Sequence, residues 1–236
     1  MFLRVLVFIT LSMFLLAGCK KNETQTGTLQ INLSYKVDNR ALQFDTVAYT
    51  CDAGYTYEVT RLNYYLSNFV FTKSDGSQYQ SDKVFYVDAS QVAENTLMFG
   101  NFAAGNCTGV NFVLGLDSAH NISDLLPATT ENINMLWPGI MGDGYHFMKL
   151  EGHYNDTSGT VGFAMHLGRN NNRVHIQLNR SINITGNSTT NTNLIMNINE
   201  WFRNPALYDF KTDGSYSMSN DSAMHKLCTN GTDIFN

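Results

Sequence analysis

Six histidines (His120, His146, His153, His166, His175 and His225) and ten methionines stand in a chain of 236 residues. Imidazole is a borderline metal ligand, and thioether sulfur favours reduced copper over calcium, magnesium or zinc. Two of the histidines directly follow a methionine, in Met165-His166 and Met224-His225. A third concentration of soft groups is MLWPGIMGDGYHFMKLEGHY, residues 135–154, with one tryptophan, three methionines and two histidines. If FAMHLG (163–168) is a strand, Phe163, Met165 and Leu167 share one face while Ala164, His166 and Gly168 share the other, and the small neighbours leave room beside the imidazole.

Each of these residues also has an ordinary role open to it. A histidine on a strand is usually solvated or hydrogen-bonded, and methionines at period two usually fill a core. His146 and His153 are seven residues apart, which puts them on opposite faces of one strand and makes them secondary candidates. His175, flanked by Val174 and Ile176, is expected to face water. Trp137 precedes Pro138, which confines its backbone to extended conformations, and Gly139, Gly142 and Gly144 let its loop approach other backbone closely. Its indole could equally plug one end of a sandwich, the role expected of Trp201.

Catalytic signatures are missing: there is no GxSxG elbow, HExxH helix, P-loop or GxGxxG turn, and Asp117, Asp143 and Glu151 fall at no spacing that pairs them. An enzyme is therefore not expected. Net charge is −5 and no basic cluster follows Lys20-Lys21, which argues against nucleic acid as a partner.

The elements that must position the candidates are strands. TLQINLSYKV alternates from Leu29 to Val37, RLNYYLSNFVF (61–71) runs into a turn at 73–77, and KVFYVDAS (83–90) is expected to pair back. Further strands are expected at 110–116, 145–151, 162–167, 174–178, 181–185 and 194–198. Short strands separated by Gly, Asn, Asp and Ser turns predict an all-β, antiparallel, immunoglobulin-like β-sandwich. Short helical segments are expected near the C-terminus, at INEWFR and after the capping run Ser219-Asn220-Asp221.

At the N-terminus, Arg4 and an apolar run from Val5 to Leu16 lead to Leu16-Ala17-Gly18-Cys19. That pattern predicts a lipoprotein signal peptide over 1–18, lipidation of Cys19 into a bilayer, a polar tether over 19–27 and a single domain over 28–236. The compartment is then extracytoplasmic, at the periplasmic face or the cell surface. Cys51, Cys107 and Cys228 remain, an odd number, and a Cys51–Cys107 bridge is one pairing open to them.

Four ordered motifs, LGLDSAHN (114–121), MLWPGIMGDGYHFMKLEG (135–152), FAMHLG (163–168) and AMHKLCTNGTDIF (223–235), resemble the MbnP-like copper-binding family, and RLNYYLSNF (61–69) resembles one of its early segments. The resemblance implies a β-sandwich that binds copper outside the cytoplasm, for storage, acquisition or delivery. It implies that Trp137 is a candidate for oxidation to kynurenine by a dihaem peroxidase-type partner. Carried over by position, His166 and His225 are the candidate ligands and His120 a third. Many relatives have Trp-x-Trp where this chain has Trp137-Pro138-Gly139. Histidine ligands must be neutral, so copper affinity is expected to fall as pH drops through roughly 6.5. The competing expectation is a surface lipoprotein that binds glycans or proteins without metal.

Overall fold

The computed structural model describes residues 25–46 and 49–236. The predicted signal peptide, Cys19 and residues 20–24 of the predicted tether lie outside the described residues. Among the described residues twelve strands run in chain order: β1 (Thr26–Val37), β2 (Arg40–Ala41), β3 (Tyr49–Thr50), β4 (Thr56–Lys73), β5 (Gln78–Ser81), β6 (Phe85–Asp88), β7 (Thr96–Ala103), β8 (Gly105–Leu114), β9 (His146–Asp156), β10 (Gly159–Gly168), β11 (Val174–Ile184) and β12 (Thr189–Asn197). Two α-helices, α1 (Thr130–Asn134) and α2 (Asp221–Asn230), complete the pattern with short 3-10 turns. No helix among the described residues is long and apolar enough to cross a membrane.

The strands form the two sheets of an all-β sandwich, mostly antiparallel as predicted. The smaller has the order β12-β1-β2 with β7 also on β1, and the larger has β10-β9-β4-β8-β11 with β3, β5 and β6 on β4. One ladder departs from the antiparallel expectation: β1 and β12 run parallel, from Thr28 opposite Thr189 to Lys36 opposite Asn197. The alternation read in β1 buries Leu29, Ile31, Leu33 and Val37 against the larger sheet, while Tyr35 stays partly exposed. Ten phenylalanines and seven tyrosines are buried in the core of the described residues, for example Phe69 stacked 5.0 Å from Phe112 and edge-on to Phe99 at 4.9 Å.

β4 organises the molecule. Its first half pairs with β9 and its second half with β8, so the larger sheet is staggered about the middle of one eighteen-residue strand. There the residues from Leu62 to Ser67 are buried without a break, because both faces are covered. Tyr64 points into the sandwich, its hydroxyl 2.9 Å from that of Tyr35. Tyr65 points the other way, donates to Asn132 Oδ1 at 2.6 Å and meets Tyr145 edge-on. The cover over Tyr65 is the long connection 115–145 between β8 and β9, which also carries α1 and Trp137.

Several expected elements fall differently. The turn at 73–77 closes a hairpin with β5, while β6 pairs further back along β4, Asn63 opposite Asp88. The runs 174–178 and 181–185 are one strand, β11, interrupted by a shift in register between Asn179 and Ile182. Strand β7 was not anticipated. Cys51, Cys107 and Cys228 are all free thiols, so the Cys51–Cys107 pairing is not made.

Candidate metal centre

His166 lies on the outer face of β10, where the β9 ladder on one side and a returning segment on the other close around it. The returning segment, residues 215–218, adds to the β10 edge: Ala164 N donates to Ser215 O at 2.8 Å and Ser217 N to Ala164 O at 3.2 Å. Ser217 Oγ then accepts from His166 N and donates to His166 O, both at 2.7 Å. That clamp places Met218 beside the ring, with Sδ 3.4 Å from His166 Nδ1. The other ring nitrogen, Nε2, is 2.8 Å from Glu151 Oε1 of β9.

The protons follow from this pattern. Glu151 is held below the usual carboxylate range by the His166 hydrogen bond, with Arg61 close by, and an ionised carboxylate only accepts. Nε2 therefore carries a proton. In the neutral ring Nδ1 has none, and a thioether has none to give, so two lone pairs face each other across 3.4 Å.

His146 stands next to His166, the rings edge-to-face with centroids 5.0 Å apart. Strand parity alone would group His146 with the core-facing Met148 and Leu150. The β9/β10 ladder shifts register between Leu167 and Gly168, at the end where β9 begins, and such irregularities re-aim side chains. His146 Nδ1 is 3.1 Å from the Met135 carbonyl, which can only accept, so this nitrogen carries the ring proton. The opposite nitrogen, Nε2, is buried with no hydrogen-bond partner; the one other such atom among the described residues is Trp201 Nε1, a donor. Burial, with Lys149 and His166 nearby, pushes the His146 pKa down to about 3 and keeps the imidazole neutral. A buried polar atom without a partner costs about 1–3 kcal/mol, which the fold tolerates at this position.

Trp137 completes the group and is 2% exposed. Its ring centroid is 4.7 Å from that of His146. Its backbone is fixed by a hydrogen bond from Trp137 N to Gly144 O at 2.9 Å, and its Nε1 donates to Met141 O at 3.3 Å. The indole lies directly on the β10 backbone: a Cβ added to Gly168 would come within 2.4 Å of Trp137 Cε3. The Arg169 guanidinium covers the ring at 5.7 Å from its centroid and is held by Asp221 at 2.9 Å. Gly144, at φ +100°, brings the Trp137 loop against Asn121, whose Oδ1 accepts from Tyr145 N at 2.8 Å.

Of the four histidine and tryptophan positions singled out from sequence, the structure connects Trp137 to His166 through His146. It does not bring His225 or His120 to that group. His225 is on the exposed side of α2, where Ala223, Met224 and Leu227 are buried. His120 Nδ1 is 2.9 Å from Asp117 Oδ1 in the turn after β8. His153 is exposed and paired with Glu58 at 2.8 Å, and His175 faces solvent as expected. Trp201 is buried as the expected plug. Sequence reasoning ranked His146 low because its partners come from β10 and from the connection 115–145. It passed over Met218, whose SYSMSND context has no period or spacing that marks a ligand.

Among the described residues no three His, Cys, Asp or Glu side chains are grouped as a metal site. The donors assembled here are two imidazoles and a thioether. Nitrogen with sulfur suits a soft cation such as reduced copper, and not calcium or magnesium, which need oxygen.

A family model described as MbnP matches residues 26–224. Among solved structures the chain is similar to MbnP from Methylosinus trichosporium, with a TM-score of 0.61 at 11% sequence identity, over 90% of this chain and 98% of that one. At that identity the likeness shows a shared fold. No curated protein sequence matches.

Proposed function

Because the chain belongs to the MbnP family, we propose that it is an extracytoplasmic copper-binding lipoprotein, anchored through Cys19, that stores, acquires or delivers copper. The cargo is held by His166 Nδ1, Met218 Sδ and His146 Nε2. The observation that carries this reading is the placement of the donors: His166 Nδ1 is 3.4 Å from Met218 Sδ, and the imidazole packed edge-to-face against His166 carries a buried Nε2 with no hydrogen-bond partner. Water or an oxygen-seeking cation has little to gain from a thioether, whereas reduced copper binds thioether and imidazole together in low-coordinate sites. The donor pair His166 and Met218 replaces the sequence-based pairing of His166 with His225, which is on the solvent side of α2. Trp137, packed against His146, is the residue that a dihaem peroxidase-type partner would oxidise to kynurenine.

The test is copper loading of the soluble form that begins at Lys20, followed by metal analysis. The wild type should retain one copper per chain, and a His146→Ala, His166→Ala double variant should retain none. Equal retention in the two proteins would refute the site, and no retention by the wild type would refute the function. Intact-mass measurement on protein from its native host should show added oxygen or the kynurenine mass at Trp137; an unmodified mass would refute the oxidation.

One observation favours the alternative, an interaction module without metal. The connection 115–145 exposes Ile122, Leu125, Ile133 and Ile140, the last at 98%, and contains no lysine or arginine. Exposed apolar groups gathered in one segment mark a surface for another molecule. Wild-type protein without copper retention would shift the reading to that surface.

A further inference from the structure

A row of side chains crosses the outer face of the larger sheet to reach His166. Arg61 of β4 is in register with Glu151 of β9, and Arg61 Nη1 contacts both carboxylate oxygens, at 3.2 and 3.1 Å. Glu151 Oε1 continues the row to His166 Nε2 at 2.8 Å, and Met218 Sδ ends it on the far side of the ring. Lys149, opposite His166 in the β9/β10 register, is turned away to the Asn134 carbonyl. The imidazole thus sits between two groups that cannot donate, a carboxylate and a thioether, and its one neutral-state proton must go to one of them.

We propose that Glu151, braced by Arg61, is a positioning residue that sets the His166 tautomer, keeping the proton on Nε2 and presenting a bare Nδ1 toward Met218. A carboxylate is the stronger acceptor, and a charge-assisted hydrogen bond is roughly twice as strong as a neutral one. An N–H···S contact at 3.4 Å is a weak competitor. Without Glu151 the thioether becomes the only hydrogen-bond partner of the ring among the described residues. Part of the population then moves its proton to Nδ1, and that nitrogen is lost as a ligand. Arg61 anchors the carboxylate by both oxygens, so its oxygen stays at the Nε2 edge. The effect on copper rests on the reading of His166 and Met218 as donors; the tautomer itself does not.

The experiment is long-range 1H–15N correlation spectroscopy on the metal-free soluble form at about pH 8.5, two units above the ordinary imidazole pKa. The His166 signals are identified by their loss in His166→Ala. In the wild type, Nε2 should have the shift of a protonated nitrogen and Nδ1 that of a bare one; the reverse would overturn the proposal. Glu151→Leu should give a detectable Nδ1–H population and lower Cu(I) affinity 10- to 100-fold, measured against a chromophoric Cu(I) chelator. Glu151→Gln keeps an acceptor oxygen, so it should keep the Nε2–H tautomer and lose less than tenfold. Glu58→Leu, at the neighbouring Glu58–His153 pair, should change neither reading. Unchanged tautomer and affinity in Glu151→Leu would overturn the proposal. A wild type that binds no Cu(I) but shows the tautomer shift in Glu151→Leu would overturn the copper reading and support the role of Glu151.

Discussion

His146 should make the fold acid-sensitive in a pH range where carboxylates contribute little. Its pKa is pushed from 6.5 to about 3 by burial, with Lys149 and His166 adding to the effect. The unfolded chain, with a pKa of about 6.5, binds a proton between those two values that the folded chain does not. Unfolding free energy therefore rises with pH through this window. The stabilisation from the neutral ring is present above about pH 6.5 and is lost progressively as pH falls toward 3. Between pH 7 and pH 5 this single group accounts for about 2 kcal/mol, at about 1.4 kcal/mol per unit. The assay is urea denaturation of the metal-free soluble form at half-unit steps from pH 7.5 to 4.5, for wild type and His146→Phe. The wild-type curve should steepen below pH 6.5, and the variant should lack that component. Most carboxylates with depressed pKa values, Asp38, Glu151 and Glu200 among them, lose their contributions at lower pH and do so in both proteins. Parallel profiles would refute the burial argument, and so would a His146 Cε1–H resonance that titrates near pH 6.

Three further outcomes follow from contacts in the same region. Met218→Leu conserves volume, so thermal stability should change by less than about 1.5 kcal/mol, while Cu(I) affinity falls at least tenfold by chelator competition and Zn(II) affinity does not. Gly168→Ala puts a methyl group within 2.4 Å of Trp137 Cε3; it should destabilise by about 1–3 kcal/mol and shift the Trp137 indole resonance, and an unmoved resonance would show that the ring is not seated there. Arg169→Gln removes a cation from above Trp137, an interaction of about 0.5–1 kcal/mol. Trp137 should then be modified faster by an added one-electron oxidant, as read by peptide mass analysis, with Trp201 as the buried internal standard.

What was legible in the sequence was what local periodicity encodes. The alternation of 29–37 and of FAMHLG assigned inward and outward faces correctly, because each strand carries its own period. β7 escaped because its pattern breaks: Leu97 and Phe99 keep the period, then Asn101 adopts φ +55° and Phe102 is the next residue buried. The parallel β1/β12 pairing left no local mark, since register across 160 residues is a property of two strands and not of either.

The site divides along the same line. Met165-His166 and Met224-His225 look alike as dipeptides. On β10 the two residues take opposite faces, and the outer one meets Glu151 and Met218. On α2 successive residues are about 100° apart, so burying Met224 turns His225 to solvent. His146 was misplaced by parity, because counting in twos cannot see the register shift that re-aims it. The resemblance to a family pointed to Trp137 and His166, and long-range contacts bring His146 and Met218 beside them.

The stagger of the larger sheet about β4 also decides which way the site looks. Gln25 and Thr26 are tied to Ala104 and Ala103 and to the β11/β12 turn at Asn187, at the level of Lys73 at the far end of β4. His166 is level with Lys149 and Asn63, ten β4 residues away, or about 30 Å at 3.3 Å per residue. A chain fastened by its N-terminus would hold His146, His166 and Trp137 at the distal end, with the length of the sandwich as a mast. Any protein that loads, unloads or oxidises this site would then approach it from open solvent, without having to pass between the domain and the surface to which it is fixed.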